Sequence, residues 1–473
     1  MWVTDSYLTC AHQQARLCDK PRAMSRKRLL LFAALTSLAI FGLAESVMHV
    51  LAPEGSGREQ GFVGHSDSVP YFVKDERQRA WVPNRSEMSR HTRLSFTSEE
   101  GGIRVAAFGG STIASNPPDG PAWQLAAMLH LGTGGHSELV NGGGHGFGST
   151  RVRGALTELL SQELDAVVLY TGHNEFTESR YVPSLSLQGG WGGFMRQLRR
   201  HSRVYEGLRL GIRDLSGQPH AVSSEVPGGP LRPGERTRLR ERFRANLESM
   251  AQSMKVAGVP GVWVLPASNL GMEPEASNDG RGIHSVSDQS QALRRAVMEV
   301  DSDAASRLSE EILSKQPNHA LGHFARGRTL AMAGDRAGAL QALRLARDED
   351  QVPRRATSAL VQIMREVAQR HGIAVVDAEA VLLAADPERT MSGGYSADRM
   401  HLNAVGYRVV MLEVYKALGR QLRLRDVVQV SADMPVPGAS LRAILGPLQR
   451  TVAAPTLGEL EHKPRDKAMT GGR

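Results

Sequence analysis

A chain of 473 residues, 41% hydrophobic and 22% charged, can build a sizeable core and exceeds the length of one ordinary domain. Its 57 Lys and Arg outnumber 49 Asp and Glu for a net charge of +8, but the basic residues are scattered and not interleaved with aromatics, which excludes a nucleic-acid stripe. Both cysteines, Cys10 and Cys18, precede residue 20, so the rest of the chain has no disulfide and no thiolate metal site and suits either side of a membrane.

Residues 1–23 match neither a targeting segment nor a domain, so translation is expected to begin at Met24. Arg26, Lys27 and Arg28 then precede an apolar run over 29–44, which continues through Val47, Val50 and Leu51. As a helix, 29–51 reaches about 34 Å, enough for a hydrocarbon core of about 30 Å. The cations before it place residues 1–28 in the cytoplasm and the body outside, held by a membrane anchor. The same residues also allow a cleaved signal peptide, with 42–44 as its small-residue site and a secreted product, or a buried core helix.

Residues 53–102 are polar and rich in turn formers, with one short candidate strand at 71–73, and read as a linker and cover. Beyond them apolar strand patterns at 103–108, 139–141, 166–170, 262–266 and 374–377 alternate with helical patterns at 122–131, 150–163, 238–257, 357–371 and 403–418. Such alternation predicts an α/β fold, a flavodoxin-like three-layer α/β/α domain around a parallel sheet, spanning 103–424. Residues 183–236, with many Gly, Pro and Arg, predict a surface excursion. Residues 301–350 are helical throughout, and Gly327, Leu330, Gly334, Asp335, Ala339, Leu343 and Ala346 fall where a tetratricopeptide-type helix pair has its small and bulky positions. An ordinary helical hairpin insertion fits the same residues. From 425 to 473 the composition predicts a weakly structured tail.

Four segments of this pattern carry chemistry. "FGGST" puts Ser111 just past the carboxyl end of the first strand, where open α/β sheets bind ligands. "VNGGGHGFGST" follows the second strand, "TGHNEF" follows the third with Asn174, and "SADRMHLN" follows the fifth with Asp398 three residues before His401. All four lie at one edge of the sheet and can converge, although 290 residues separate Ser111 from His401. Asp398 alone could instead cap the helix that follows. His136, His145 and His173 read as loop or exposed histidines without metal spacing.

Taken together, Ser111, Gly146, Asn174, Asp398 and His401 resemble the SGNH hydrolases, the GDSL-type esterases and lipases, in a membrane-anchored bacterial subgroup with a GHNE block and tetratricopeptide segments. That resemblance implies a serine hydrolase that cleaves carboxylic esters through an acyl-enzyme intermediate and needs no cofactor or metal. It implies Ser111 as nucleophile, His401 as base and Asp398 as its partner, with an oxyanion hole made by Ser111, Gly146 and Asn174. Glu175 and Arg180 are the neighbours that could reach a substrate; for Glu175 the competing role is a hydrogen bond shaping its own loop, and for Arg180 plain packing. The expected substrate is an acylated small molecule, lipid or glycan of the cell envelope, on the periplasmic side of the inner membrane. Acyl transfer to an envelope polysaccharide would use the same residues. A non-catalytic scaffold would instead use the helical insertion to bind a protein partner.

Overall fold

The computed structural model describes residues 26–51, 70–77, 79–84, 88, 94–95, 102–114, 120–181, 202, 204–205, 208, 230–277, 288–422 and 424–434. It divides into two compact units, one of residues 1–58 with 193–218, the other of 59–192 with 219–473.

In the first unit, helix α1 (Arg26–Leu51) contains a stretch, Leu30–Met48, of mean hydropathy 1.9. At 1.5 Å per residue its 19 residues extend about 29 Å. Its Leu30, Leu31, Phe32, Leu38 and Leu43 are exposed, so this is no buried core helix. Length and composition suit a membrane span or a signal sequence. Ser202, from the expected surface excursion, donates its hydroxyl to Glu45 at 2.7 Å, and the Val204 amide follows at 3.3 Å.

The second unit is built on five parallel strands: β4 (Ile103–Gly109), β5 (Ser137–Asn141), β6 (Ala166–Tyr170), β7 (Gly261–Leu265) and β8 (Ala374–Asp377). They lie in the order β5-β4-β6-β7-β8, the flavodoxin-like arrangement expected from the sequence. Every residue of β6 and β7 is buried, because helices cover both faces. Alternation along the strands divides the apolar side chains between two cores. Ala106, Phe108, Val167, Leu169 and Trp263 pack against α4 (Ser149–Leu159), α6 (Glu235–Ala257) and α11 (Ser358–Arg370). Val105, Ala107, Val168, Tyr170 and Val264 pack against α3 (Pro121–Thr133) and α14 (Ala404–Leu422).

Two expectations are corrected here. Part of the supposed linker forms a small antiparallel sheet, β1 (Phe72–Asp75), β2 (Ala80–Pro83) and β3 (Leu94–Ser95). It is fastened to the body by acidic side chains: Glu158 accepts the Tyr71 and Phe72 amides at 2.7 and 3.1 Å, and Glu138 accepts the Ser95 amide at 2.8 Å. Residues 424–434 of the expected tail are also built into the body. Val430 of helix α15 (Val427–Asp433) and Met434 just past it are buried in the second core, and Arg425 donates to the Leu131 carbonyl at 3.0 Å. Residues 435–473 lie outside the described ones.

Four helices interrupt the α/β rhythm between β7 and α11: α7 (Asp288–Met298), α8 (Ser302–Lys315), α9 (Ala320–Met332) and α10 (Arg336–Asp348). The helical region therefore begins earlier than residue 301. Asp301 and Asp335 cap α8 and α10 by accepting the Ala304 and Gly338 amides. Their shared core of Leu293, Ile312, Phe324 and Leu343 includes Leu270 and Met391 from the sheet-bearing body. Because that core is common property, Leu343→Ala should lower stability by about 2–5 kcal/mol. Urea unfolding should then still show a single transition, shifted as a whole; separate melting of the helices would contradict a shared core.

Candidate active site

Ser111 owes its position to close backbone packing. Strand β4 ends at Gly109, the chain turns at Gly110, and Ser111 opens the one-turn helix α2 (Ser111–Ala114). The Gly110 carbonyl accepts the amides of Ile113 and Ala114, both at 3.0 Å. A side chain at Gly110 would collide with the Asn174 amide nitrogen and the Phe147 carbonyl, so only glycine lets these two loops approach. From the next strand, Asn141 donates to the Ile113 carbonyl at 2.9 Å and accepts the Gly143 amide at 3.0 Å.

His401 arrives from the far end of the sheet. A backbone bridge between Ser396 and Leu402, with the Ala397 amide donating to the His401 carbonyl at 2.8 Å, folds residues 396–402 into a narrow loop. Within it Asp398 Oδ1 accepts the amides of Met400 and His401, each at 2.8 Å. Its other oxygen lies 2.6 Å from His401 Nδ1, and His401 Nε2 lies 2.7 Å from Ser111 Oγ. The three residues therefore form one hydrogen-bonded line with the reach a serine nucleophile needs. Burial pushes the Asp398 carboxyl up, but hydrogen bonds from the His401 ring and from the two loop amides outweigh it and hold the group well below the usual carboxylate range. Capping of α14 falls to Asn403, whose side chain accepts the Gly406 amide at 3.0 Å. Asp398 is thus free of the capping role.

The loop after β5 contributes the glycines. The amides of Gly142, Gly143, Gly144 and Gly148 are bonded to Ala107, Asn141, Gly109 and Glu178 in turn. Gly146, with φ of 69°, sits at the turn of this loop, and among the described residues its amide has no such internal partner. Asn174 donates its side-chain amide to the Phe147 carbonyl at 3.0 Å, which ties this loop to the start of α5 (Glu175–Tyr181). Met88 of the cover pairs its backbone with Gly144.

Of the two roles open to Glu175, its surroundings favour the hydrogen-bonding one: it is fully buried, and its two oxygens accept the Ser149 amide at 2.7 Å and the Ser149 hydroxyl at 2.8 Å, so it caps α4 and shapes the loop. Arg180 lies on α5, but its side chain falls outside the described residues. His136 and His145 are exposed. His173 is buried and accepts the Ala356 amide at Nδ1 at 3.2 Å; burial, with the nearby His401, lowers its pKa to about 3 and keeps it neutral.

Two supporting residues escaped the sequence reading. Asn269, just past β7, donates to the Asp398 carbonyl at 2.9 Å, and its own amide donates to the Arg399 carbonyl at 3.1 Å. Arg355, buried where the helical region returns to the body, donates to the carbonyls of Asn269 and Met272. The available signal was the polar pair Ser268 and Asn269 shortly after a buried strand, at the edge where the other blocks lie.

Glu175 also predicts a pH response. Burial, then the charge of Glu178, push its carboxyl up to about 7 despite Arg242 and the Ser149 hydrogen bonds. Its ordinary value is about 4.3, so the fold binds this proton more tightly than the unfolded chain does. The stability so gained is complete below about pH 4.3 and is lost as pH rises through about 7. Thermal midpoints should fall between about pH 5 and about pH 8, and Glu175→Gln, neutral throughout, should flatten that fall. An unchanged slope in the variant would remove Glu175 as its source.

No family model matches the sequence, and no curated protein matches it. Solved structures that resemble the fold include the α/β hydrolase LAE5 from the metagenome of Lake Arreo, Spain, at TM-score 0.34 and 13% identity over 68% of this chain and 97% of that one. A catalytic mutant of Axe2, an acetylxylan esterase from Geobacillus stearothermophilus, aligns at TM-score 0.33 and 11% identity over 69% and 96%. A GDSL-like lipase from Bacteroides thetaiotaomicron aligns at TM-score 0.32 and 10% identity over 69% and 92%. At such distances no residue's role passes from them to this chain, and the site rests on its own side-chain geometry.

Proposed function

We propose that this chain is a serine esterase of the SGNH type, acting through an acyl-enzyme on Ser111. The observation that carries the reading is the continuous hydrogen-bonded line from Asp398 through His401 to Ser111, at 2.6 and 2.7 Å. His401 Nε2 takes the hydroxyl proton as Ser111 Oγ attacks the ester carbonyl, and returns it to the leaving alcohol oxygen as the C–O bond breaks. Water then repeats the sequence on the acyl-enzyme and releases the acid. Asp398, kept anionic by its hydrogen bonds, fixes the imidazole tautomer and favours the imidazolium that forms.

The tetrahedral oxygen would be met by the amides of Ser111 and Gly146 and the side-chain amide of Asn174. Supporting this are the position of Asn174 against Gly110 and the bonded state of the other loop glycines, which leaves Gly146 to serve. The cations at the start of α1, ahead of its apolar stretch, favour a body anchored outside the cytoplasm, beside envelope glycans or lipids that carry acyl groups.

Labelling with a fluorophosphonate probe tests the nucleophile. The folded native protein should label, and Ser111→Ala should not; label that survives the substitution would refute the assignment. In ester turnover, Ser111→Ala and His401→Ala should each cost on the order of 10⁶-fold in kcat, and Asp398→Ala about 10⁴-fold. Asn174→Ala should lower kcat by about 10²- to 10³-fold with little change in KM, measured on a short-chain p-nitrophenyl ester.

A further inference from the structure

The loop that carries Gly146 reads "GGGHGFG" over 142–148, with glycine at five of seven positions. Glycine has the widest backbone freedom of any residue, so such a loop holds no donor in place by itself. Besides the amide bonds of its first glycines and the Asn174 contact, a buried pair of opposite charges holds its Gly146 end. Glu178, on α5, accepts the Gly148 amide at 3.0 Å and the Thr150 amide at 3.3 Å. It also pairs with Arg151 Nε at 2.8 Å. The Arg151 guanidinium then donates to the Gly146 carbonyl and stacks 4.5 Å above the Phe147 ring. Neither member reaches solvent: Glu178 is 0% exposed and Arg151 4%.

Burying two charges is costly, and an apolar pair of similar volume would often stabilise as well or better. The pair does something an apolar pair could not, because it gives direction. Asn174, at the start of the helix that bears Glu178, grips the Phe147 carbonyl, while Arg151 grips the carbonyl one residue earlier. Both side-chain donors thereby pull the same glycine turn into one register relative to Ser111. Donors fixed before reaction stabilise developing charge without reorganising during it.

We propose that Arg151 and Glu178 are positioning residues that preorganise the oxyanion hole, acting through Gly146 and Asn174 without touching substrate. The inference rests on the esterase reading above. Since the oxyanion exists only in the transition state, loosening its donors should lower kcat and spare KM.

The test uses full-length protein, a short-chain p-nitrophenyl ester, and an alkyl boronic acid whose tetrahedral adduct on Ser111 imitates the oxyanion. Glu178→Gln should lower kcat by about 10- to 100-fold with KM within about 3-fold, and boronate affinity should weaken by a matching factor. Arg151→Lys keeps the charge opposite Glu178 but not the planar fork, and should show the same split, more mildly; it also serves if Glu178→Gln fails to fold. Wild-type kcat and boronate affinity in a folded variant would overturn the proposal, as would a rise in KM at unchanged kcat. If the wild type itself turns over no ester, the esterase reading fails and the positioning role falls with it; wild-type turnover with unaffected variants defeats the positioning role alone.

Discussion

One hydrogen bond, from Ser111 Oγ to His401 Nε2, joins residues 290 apart in sequence, and most of the architecture serves to make it short. A serine hydroxyl gains nucleophilic character only with a base in reach, and separations of a few tenths of an ångström decide that. The parallel sheet supplies the coarse alignment by bringing the carboxyl ends of β4 and β8 to one edge. Hydrogen-bonded loops supply the rest, Asn141 steadying the serine side and Asn269 the histidine side. The position of His401 is therefore referenced to Ser111 through the fold.

Electrostatics divides the region around that bond into two kinds of carboxylate. Asp398 is half open to water, with its side chain 53% exposed, yet three hydrogen bonds keep it charged. Glu175 is sealed away and shifts toward neutrality because burial and a like charge both oppose ionisation. The first can sustain an imidazolium, and the second only shapes backbone. Position in the loops would not separate them; solvation does.

Much of this was legible in the sequence because the central strands are buried on both faces. Runs such as "AVVLY" at 166–170 have no polar interruption, and four polar blocks directly after such runs betray a common edge. Of the small sheet only β1 was legible, as the candidate strand at 71–73; β2 and β3 are four and two residues long, and the sheet's hold on the body comes from Glu138 and Glu158, remote in sequence. Helix α15 was missed for a similar reason: seven residues with Val430 alone buried give no period to read. For Glu175 the sequence left two roles open, substrate contact and a loop hydrogen bond, and only its burial against Ser149 favours the second. Asn269 and Arg355 act through backbone carbonyls, which no side-chain pattern reveals.

The place where the four inserted helices leave and rejoin the body has a bearing on how such a chain could change. Asp350 accepts the amides of Glu275 and Ala276, and the Gln351 amide donates to the Ala276 carbonyl, so departure and return are stitched side by side. Departure and return of the excursion thus lie as close together as the ends of a tight turn, while the helices between them still share a core with Leu270 and Met391. The seam also lies near Arg355, which bonds to Asn269 and through it to the loop of His401, so any shift of the helices at this seam would bear on that loop.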